Sequence, residues 1–115
     1  MKLPDLKTLS SAHTARTYPV RARELSRAVE EAVRELPGWS LVSSSEMEEV
    51  RASRKTRVLG FTDDVTVRLT PSPSGAHTNT RAEFQSASRL GLWDLGQNRR
   101  NLDELLAAID QELIG

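Results

Sequence analysis

The sequence predicts an α+β domain with a helix-grip-like layout, in which two helices pack on one face of an antiparallel sheet. Two segments repeat their apolar residues at helical spacing, one in the first third of the chain and one at its end. The segments between them alternate apolar and polar residues, as half-buried strands do, and one further strand precedes the first helix. The element order is therefore β-α-β-β-β-β-α, and strands that follow one another through hairpins pair antiparallel.

The chain begins with a polar stretch that shows no sustained repeat. We therefore expect residues 1–13 to be a loose arm and residues 14–115 to form a single domain. The first strand is predicted over residues 14–20, with Tyr18 and Val20 facing inward. Pro19 has no backbone N–H for a neighbouring strand, which indicates an edge position.

The first helix is predicted over residues 21–36, because apolar residues recur there at intervals of three and four while Arg and Glu fill the other side. Pro37 and Gly38 then end the helix. Its apolar positions are Ala22, Leu25, Val29, Ala32, Val33 and Leu36.

Four strands are predicted in the middle of the chain, over residues 39–43, 49–59, 64–69 and 76–88. The third is the clearest, because its apolar and polar residues alternate strictly. Its inward face is Val65, Val67 and Leu69. One face of the fourth strand carries Thr80, Ala82, Phe84, Ser86 and Ser88.

The last helix is predicted from a single apolar stripe near the end of the chain. Asp94, followed three residues later by Gln97, has the D-x-x-Q pattern of a capping box, so Asp94 is the predicted N-cap. The stripe consists of Leu95, Leu102, Leu105, Leu106, Ile109 and Leu113.

Composition excludes several classes of protein. The 115 residues include 16 basic and 16 acidic residues, so the net charge is zero, which argues against a general binder of nucleic acid or anionic membranes. The absence of cysteine excludes disulfides, iron–sulfur clusters and thiolate zinc sites. No apolar segment has the length of a signal or a membrane span, and we expect a cytoplasmic location.

Two motifs in the second half of the chain carry a family resemblance. Residues 61–69 fit F-x-D-D-V-x-V-R-[LIV], and residues 85–98 fit R-S-x-S-R-x-G-x-x-D-L-G-x-N apart from the first position. In these motifs the chain resembles the uncharacterised family called domain of unknown function 1499. The likeness extends over roughly residues 15–110 and implies a fold but no reaction. Gln85 stands where an arginine is usual, and the cysteine-containing start common in the family is missing.

A group of polar residues at one end of the predicted sheet is the candidate binding site. The turn into the last helix brings Arg89, Asp94 and Asn98 close in sequence, and Asn98 lies one helical turn beyond Asp94. Asp64 and Ser88 join them if the strand ends are adjacent. In this interpretation Arg89 binds an anionic or carbonyl group bidentately, while Asp94 and Asn98 orient it.

The same residues also fit a purely structural role, in which Asp94 caps the helix and Arg89 pairs with Asp64 or Asp94. Asp63 and Asp64 point to opposite faces of a strand, which makes them a poor acid–base pair. Neither histidine has a second ligand at metal-site spacing, so no metal or other cofactor is expected. Four basic residues in the segment 51–57 indicate either a local anion or RNA patch or a solvated strand edge, and the zero net charge favours the edge.

The sequence favours a non-catalytic domain that binds a small ligand or an interaction partner, with Arg89, Asp94 and Asn98 at the rim of a cleft. Two alternatives stay open. One is an enzyme of undetermined reaction that uses Asp64, Arg89 and Asp94, which would show a carboxylate without a structural partner. The other is a protein-interaction or regulatory module that acts through a sheet edge. The expected partner is a small molecule or a protein, and the sequence leaves monomer and dimer open.

Overall fold

The computed structural model describes residues 11–45, 47–56, 60–71, 79–89 and 96–115. The order of its elements confirms the predicted β-α-β-β-β-β-α arrangement. No helix in these five segments is long and apolar enough to cross a membrane. The strands are β1 (Ser11–Tyr18), β2 (Trp39–Ser45), β3 (Glu49–Lys55), β4 (Thr62–Pro71) and β5 (Thr80–Ser88), and the helices are α1 (Ala22–Glu35) and α2 (Gln97–Ile114).

The five strands form one sheet in the order β1-β5-β4-β3-β2, and all neighbours are antiparallel. Strand β1 lies at an edge, as Pro19 predicts. It begins at Ser11, three residues before the predicted start, because Ser11 already pairs with Ala87 of β5. Strand β3 lies between β2 and β4, so the interpretation of its basic residues as a strand edge is wrong.

The hydrophobic core lies between one face of the sheet and both helices. The predicted inward residues of β4 are each at most 6% exposed, and Phe84 of β5 is 1% exposed. Fully burying a side chain of this kind contributes about 1.5–3 kcal/mol relative to leaving it exposed. The helices contact each other as well as the sheet. Their fully buried residues include Leu25, Val29, Ala32 and Val33 of α1 and Leu102, Leu105 and Ile109 of α2.

Helix α2 begins at Gln97, with Gly96 rather than Asp94 in the N-cap position. Gly96 has a φ of 81°, a left-handed conformation that glycine adopts without the steric cost that a Cβ brings. Asp94 itself, like Leu95, lies outside the described residues.

One end of the sheet brings together Asp64, Ser88, Arg89 and Asn98 of the polar residues singled out above. Strands β2 and β4 begin there, β3 and β5 end there, and α2 starts above it. In register, Asp63 at the start of β4 pairs with Arg54 of β3 on one side and with Ser88 of β5 on the other. We call this the α2 end of the sheet.

Candidate functional site

A cluster of polar side chains is buried beneath the first turns of α2. Asp63 is 2% exposed, and Ser86, Asn98 and Asn101 are each 0% exposed. Together with the half-buried Ser88 they form what we call the polar cluster. Burying such groups costs free energy unless each finds a hydrogen-bond partner.

The polar cluster is a continuous chain of hydrogen bonds between sheet and helix. The Asn101 Nδ2 donates to Asp63 Oδ2 at 2.8 Å and to Ser86 Oγ at 3.1 Å. The Ser86 hydroxyl donates to Asn98 Oδ1 at 2.7 Å, and Asn98 Nδ2 donates to Ser88 Oγ at 2.9 Å. These bonds fix the height and rotation of α2 on the sheet, which apolar contacts alone specify less sharply.

The predicted pairing of Arg89 with Asp64 is present, but on the opposite face of the sheet. The guanidinium bonds both carboxylate oxygens, with three contacts of 3.0–3.2 Å. The two side chains are 57% and 53% exposed, and β4 alternates, so Asp64 faces away from the helices while Asp63 faces them. The hydrogen bonds that the Arg89 guanidinium donates to Asp64 raise its pKa, and the negative charge of Asp64 adds to the shift.

The sheet therefore separates the predicted site into two parts. Asn98 and Ser88 lie on the helix side and bond each other, whereas Arg89 and Asp64 form an exposed ion pair on the outer face. Asp94 lies outside the described residues. Asp63 and Asp64 each have a structural partner, so neither shows the unpartnered carboxylate that the enzyme alternative requires.

A cleft opens at the α2 end beside the polar cluster, and we call it the end cleft. Its volume is about 560 Å³, within the range of about 300–1,000 Å³ typical of small-molecule sites. Its described walls belong to the loop that follows α1, to the end of β3 with Thr56, to Gly60 and to α2. The described residues that line it are Pro37, Gly38, Arg54, Lys55, Thr56, Gly60 and Glu104.

Arg54 and Glu104 meet at the wall of the end cleft. Arg54 shares the inward face of β3 with the buried Ala52, so its side chain is only 18% exposed. Its Nη2 donates to Glu104 Oε2 at 3.4 Å, and within the described part of the chain its buried Nε has no hydrogen-bond partner. The other oxygen of Glu104 accepts a hydrogen bond from Trp39 Nε1 at 2.9 Å.

The backbone beside Arg54 brings a second cation to the end cleft. Gly38, with a φ of 84°, accepts a hydrogen bond on its carbonyl from the Lys55 backbone N–H at 2.9 Å. A Cβ at Gly38 would lie 3.2 Å from the Lys55 carbonyl oxygen, so glycine permits this close approach. Lys55 makes no ion pair with any residue in the described segments. The described lining of the end cleft thus includes two cationic residues, Arg54 and Lys55, and one carboxylate, Glu104.

Sequence reasoning missed several residues that matter at this end. Arg54 belongs to the basic segment 51–57, for which the sequence predicts an anion or RNA patch or a strand edge. It lies two residues after the buried Ala52 on β3, so both side chains are on the inward face. Asn101 follows Asn98 by three residues and so shares its side of the helix. Glu104 and Trp39 gave no local signal, because their contact joins residues 65 positions apart.

Comparisons with known proteins give a family and a fold. A sequence model of one family, described as "Protein of unknown function (DUF1499)", matches residues 5–109. No curated protein matches the chain.

Solved structures share the fold at low sequence identity. Protein MLL2253 from Mesorhizobium loti matches with a TM-score of 0.60 and 14% identity, over 90% of this chain and 96% of that one. Mll3558 from Rhizobium loti matches with a TM-score of 0.57 and 18% identity, over 90% of this chain and 96% of that one. CV1439 from Chromobacterium violaceum matches with a TM-score of 0.57 and 10% identity, over 90% of this chain and 94% of that one. Identities this low carry the α+β fold and no function.

Proposed function

The chain belongs to the family of unknown function DUF1499, and we propose that it is a non-catalytic domain that binds a small ligand in the end cleft. The observation that carries this proposal is the place of Arg54 in the structure. This residue is a mostly buried cation, 18% exposed, on the wall of a cleft of about 560 Å³. Its Nε has no hydrogen-bond partner among the described residues, and its contact with Glu104 is 3.4 Å long.

The unmet hydrogen bonding of Arg54 supports a binding role because buried cations are costly without partners. An arginine has five N–H donors, and a buried donor left unsatisfied costs about 1–3 kcal/mol. In this proposal a ligand in the end cleft supplies an acceptor to the part of the Arg54 side chain that lines the cleft.

The chemistry of the lining supports binding rather than catalysis. Among the described residues of the end cleft, Glu104 is the only carboxylate, and both its oxygens already accept hydrogen bonds from Trp39 and Arg54. The described lining includes no histidine. No group of metal-binding side chains occurs within the described residues.

The polar cluster supports the same site indirectly. Asn101 bonds Asp63 one helical turn before Glu104 on α2, so the cluster fixes the part of the helix that carries Glu104. In this proposal Asn98 and Ser88 position the helix beside the end cleft and do not touch the ligand. Arg89 and Asp64 lie on the outer face and are not among the described residues that line the end cleft.

An NMR screen tests the proposal. The labelled wild-type protein is mixed with a panel of small carboxylates, phosphates and neutral amphiphiles, and backbone amide shifts are followed. We expect saturable shifts at Gly38, Lys55, Thr56 and Gly60. The variant Arg54→Gln loses these shifts, and Arg51→Gln on the outer face of the same strand retains them. If no compound moves these amides at millimolar concentration in the folded protein, the proposal is wrong.

A further inference from the structure

We propose that the ligand of the end cleft carries an oxyanion, a carboxylate or a phosphate group, that replaces the Glu104 carboxylate at Arg54. This inference rests on the proposed function. It adds the chemical class of the ligand and names Glu104 as the residue that competes with it.

The geometry of Arg54 differs from that of a satisfied arginine in the same protein. Arg89 makes three contacts of 3.0–3.2 Å with both oxygens of Asp64. Arg54 makes one contact of 3.4 Å with Glu104, and its Nε has no partner in the described segments. Charge-assisted N–H···O bonds are ordinarily about 2.7–2.9 Å long. The pairing of Arg54 with Glu104 is therefore weak, and an oxyanion in the cleft would compete with Glu104 for the guanidinium.

Trp39 explains why Glu104 does not close onto Arg54. The Trp39 Nε1 donates to Glu104 Oε1 at 2.9 Å, half an ångström shorter than the contact from Arg54 to Oε2. Trp39 is 7% exposed and fixed in the core, so it holds the carboxylate in a position set by the indole. Glu104 is 33% exposed and can turn towards solvent when another anion takes its place.

The charges on the walls fit an incoming anion. Among the described lining residues, Arg54 and Lys55 are positively charged and Glu104 is negatively charged, an excess of one positive charge. The guanidinium fork matches both oxygens of a carboxylate or phosphate. An oxyanion at this position neutralises the excess charge, whereas a neutral ligand does not.

Glu104 opposes this ligand in two ways. Its negative charge repels the oxyanion, and its contact with Arg54 must break before the oxyanion binds. The variant Glu104→Gln removes the charge and keeps a side-chain oxygen for Trp39 Nε1. We expect it to bind oxyanions about tenfold or more tightly than the wild type, the effect of one unit charge a few ångströms away near a protein surface.

Titrations with simple anions test the inference. Inorganic phosphate is the probe in one arm and acetate in the other, both at constant ionic strength. Binding is followed by the cleft amides and by the indole N–H resonance of Trp39, assigned with Trp39→Phe. We expect the indole N–H resonance to move in the wild type, because the Glu104 carboxylate moves away from the Trp39 N–H when the anion binds. Arg54→Gln should weaken binding at least tenfold, and Arg51→Gln should not change it.

The outcomes separate this inference from the proposed function. An affinity that does not rise in Glu104→Gln, or an indole resonance that stays still while the cleft amides move, overturns the replacement of Glu104. If neutral compounds move the cleft amides and neither anion does, the ligand class is wrong and the binding function stands. If nothing moves them, the binding function itself fails. If Arg54→Gln folds poorly, the expected gain in oxyanion affinity of Glu104→Gln still tests the inference.

Discussion

The side-chain amide of Asn101 donates a hydrogen bond of 2.8 Å to the carboxylate of Asp63, and neither residue is more than 2% exposed. This contact joins α2 to the start of β4 across the interior of the protein. A buried carboxyl group depends on such a partner, because it has lost its contact with water. The contact therefore holds α2 at the height where Glu104 lines the end cleft.

Removing the Asn101 amide should destabilise the fold strongly. We expect Asn101→Ala to lower the free energy of unfolding by about 2–4 kcal/mol, because Asp63 and Ser86 lose a donor in the interior. Urea unfolding measures the effect. Arg99→Ala, at an exposed ion pair on the same helix, is the matched control and should change stability little. Equal effects of the two variants would refute the structural role of the polar cluster.

The partnership of Asn101 and Asp63 is tested by a double-mutant cycle. We expect Asp63→Asn combined with Asn101→Ala to cost less than the sum of the single variants, with a coupling of about 0.5–3 kcal/mol, since the two side chains act through one contact. Strict additivity in urea unfolding would show that the 2.8 Å contact contributes little.

Arg89 should matter far less to the fold than Asn101. Its ion pair with Asp64 is exposed to solvent on the outer face, where water and salt screen the attraction. We expect the urea midpoint of Arg89→Ala to stay close to that of the wild type, and any difference to shrink as salt is added. A loss as large as that of Asn101→Ala would contradict this prediction.

The ends of the two helices should make stability depend on pH. A hydrogen bond with Glu35 raises the pKa of Glu112 above its ordinary value of 4.5, and burial and the charges of Glu35 and Glu31 add to the shift. The folded protein therefore binds this proton more tightly than the unfolded chain does. The stabilisation is present at low pH and is lost as pH rises from about 4.5 through the raised pKa.

The variant Glu112→Gln tests that dependence, because glutamine cannot become charged. Relative to the wild type, it should gain stability as pH rises from about 4 to about 7. Urea midpoints at the two pH values measure the change, and Glu48→Gln, in the turn between β2 and β3, is the control. A relative stability that falls with rising pH would reverse the predicted sign.

Gly38 should tolerate substitution less well than Gly60, although both have positive φ. An L-residue in this conformation costs about 1–2 kcal/mol. At Gly38 the new Cβ also lies 3.2 Å from the Lys55 carbonyl oxygen, whereas at Gly60 the nearest atom is the flexible Lys55 Cε at 3.8 Å. We expect Gly38→Ala to lower the urea midpoint more than Gly60→Ala. The opposite order would contradict the close approach at Gly38.

The alternation of apolar residues was enough to predict the order of the elements, because period-two and period-3.6 patterns follow from burial on one face. Val65 and Val67 are buried as the pattern requires, and by the same alternation Asp63 faces inward. The pattern could not show that Asp63 is tolerated there, since its partner Asn101 lies 38 residues away.

The candidate site was harder to predict for the same reason. The adjacency of strand ends correctly suggested the pairing of Arg89 with Asp64, but the face on which it lies depends on the register of β4 and β5. Arg54 meets Glu104 across 50 residues, and Trp39 meets it across 65. Contacts at these separations follow from the packing of α2 on the sheet, which no local pattern encodes.

The unfolding midpoint of Arg54→Met tests most directly whether Arg54 is held for a ligand rather than for the fold. Methionine fills similar space without a buried cation, and replacing poorly paired buried charges with apolar groups is often neutral or stabilising. We predict a urea midpoint equal to or above that of the wild type, with Arg51→Met as the matched control. A loss comparable to that of Asn101→Ala would show that Arg54 is structural and would contradict the assignment of the end cleft as a binding site.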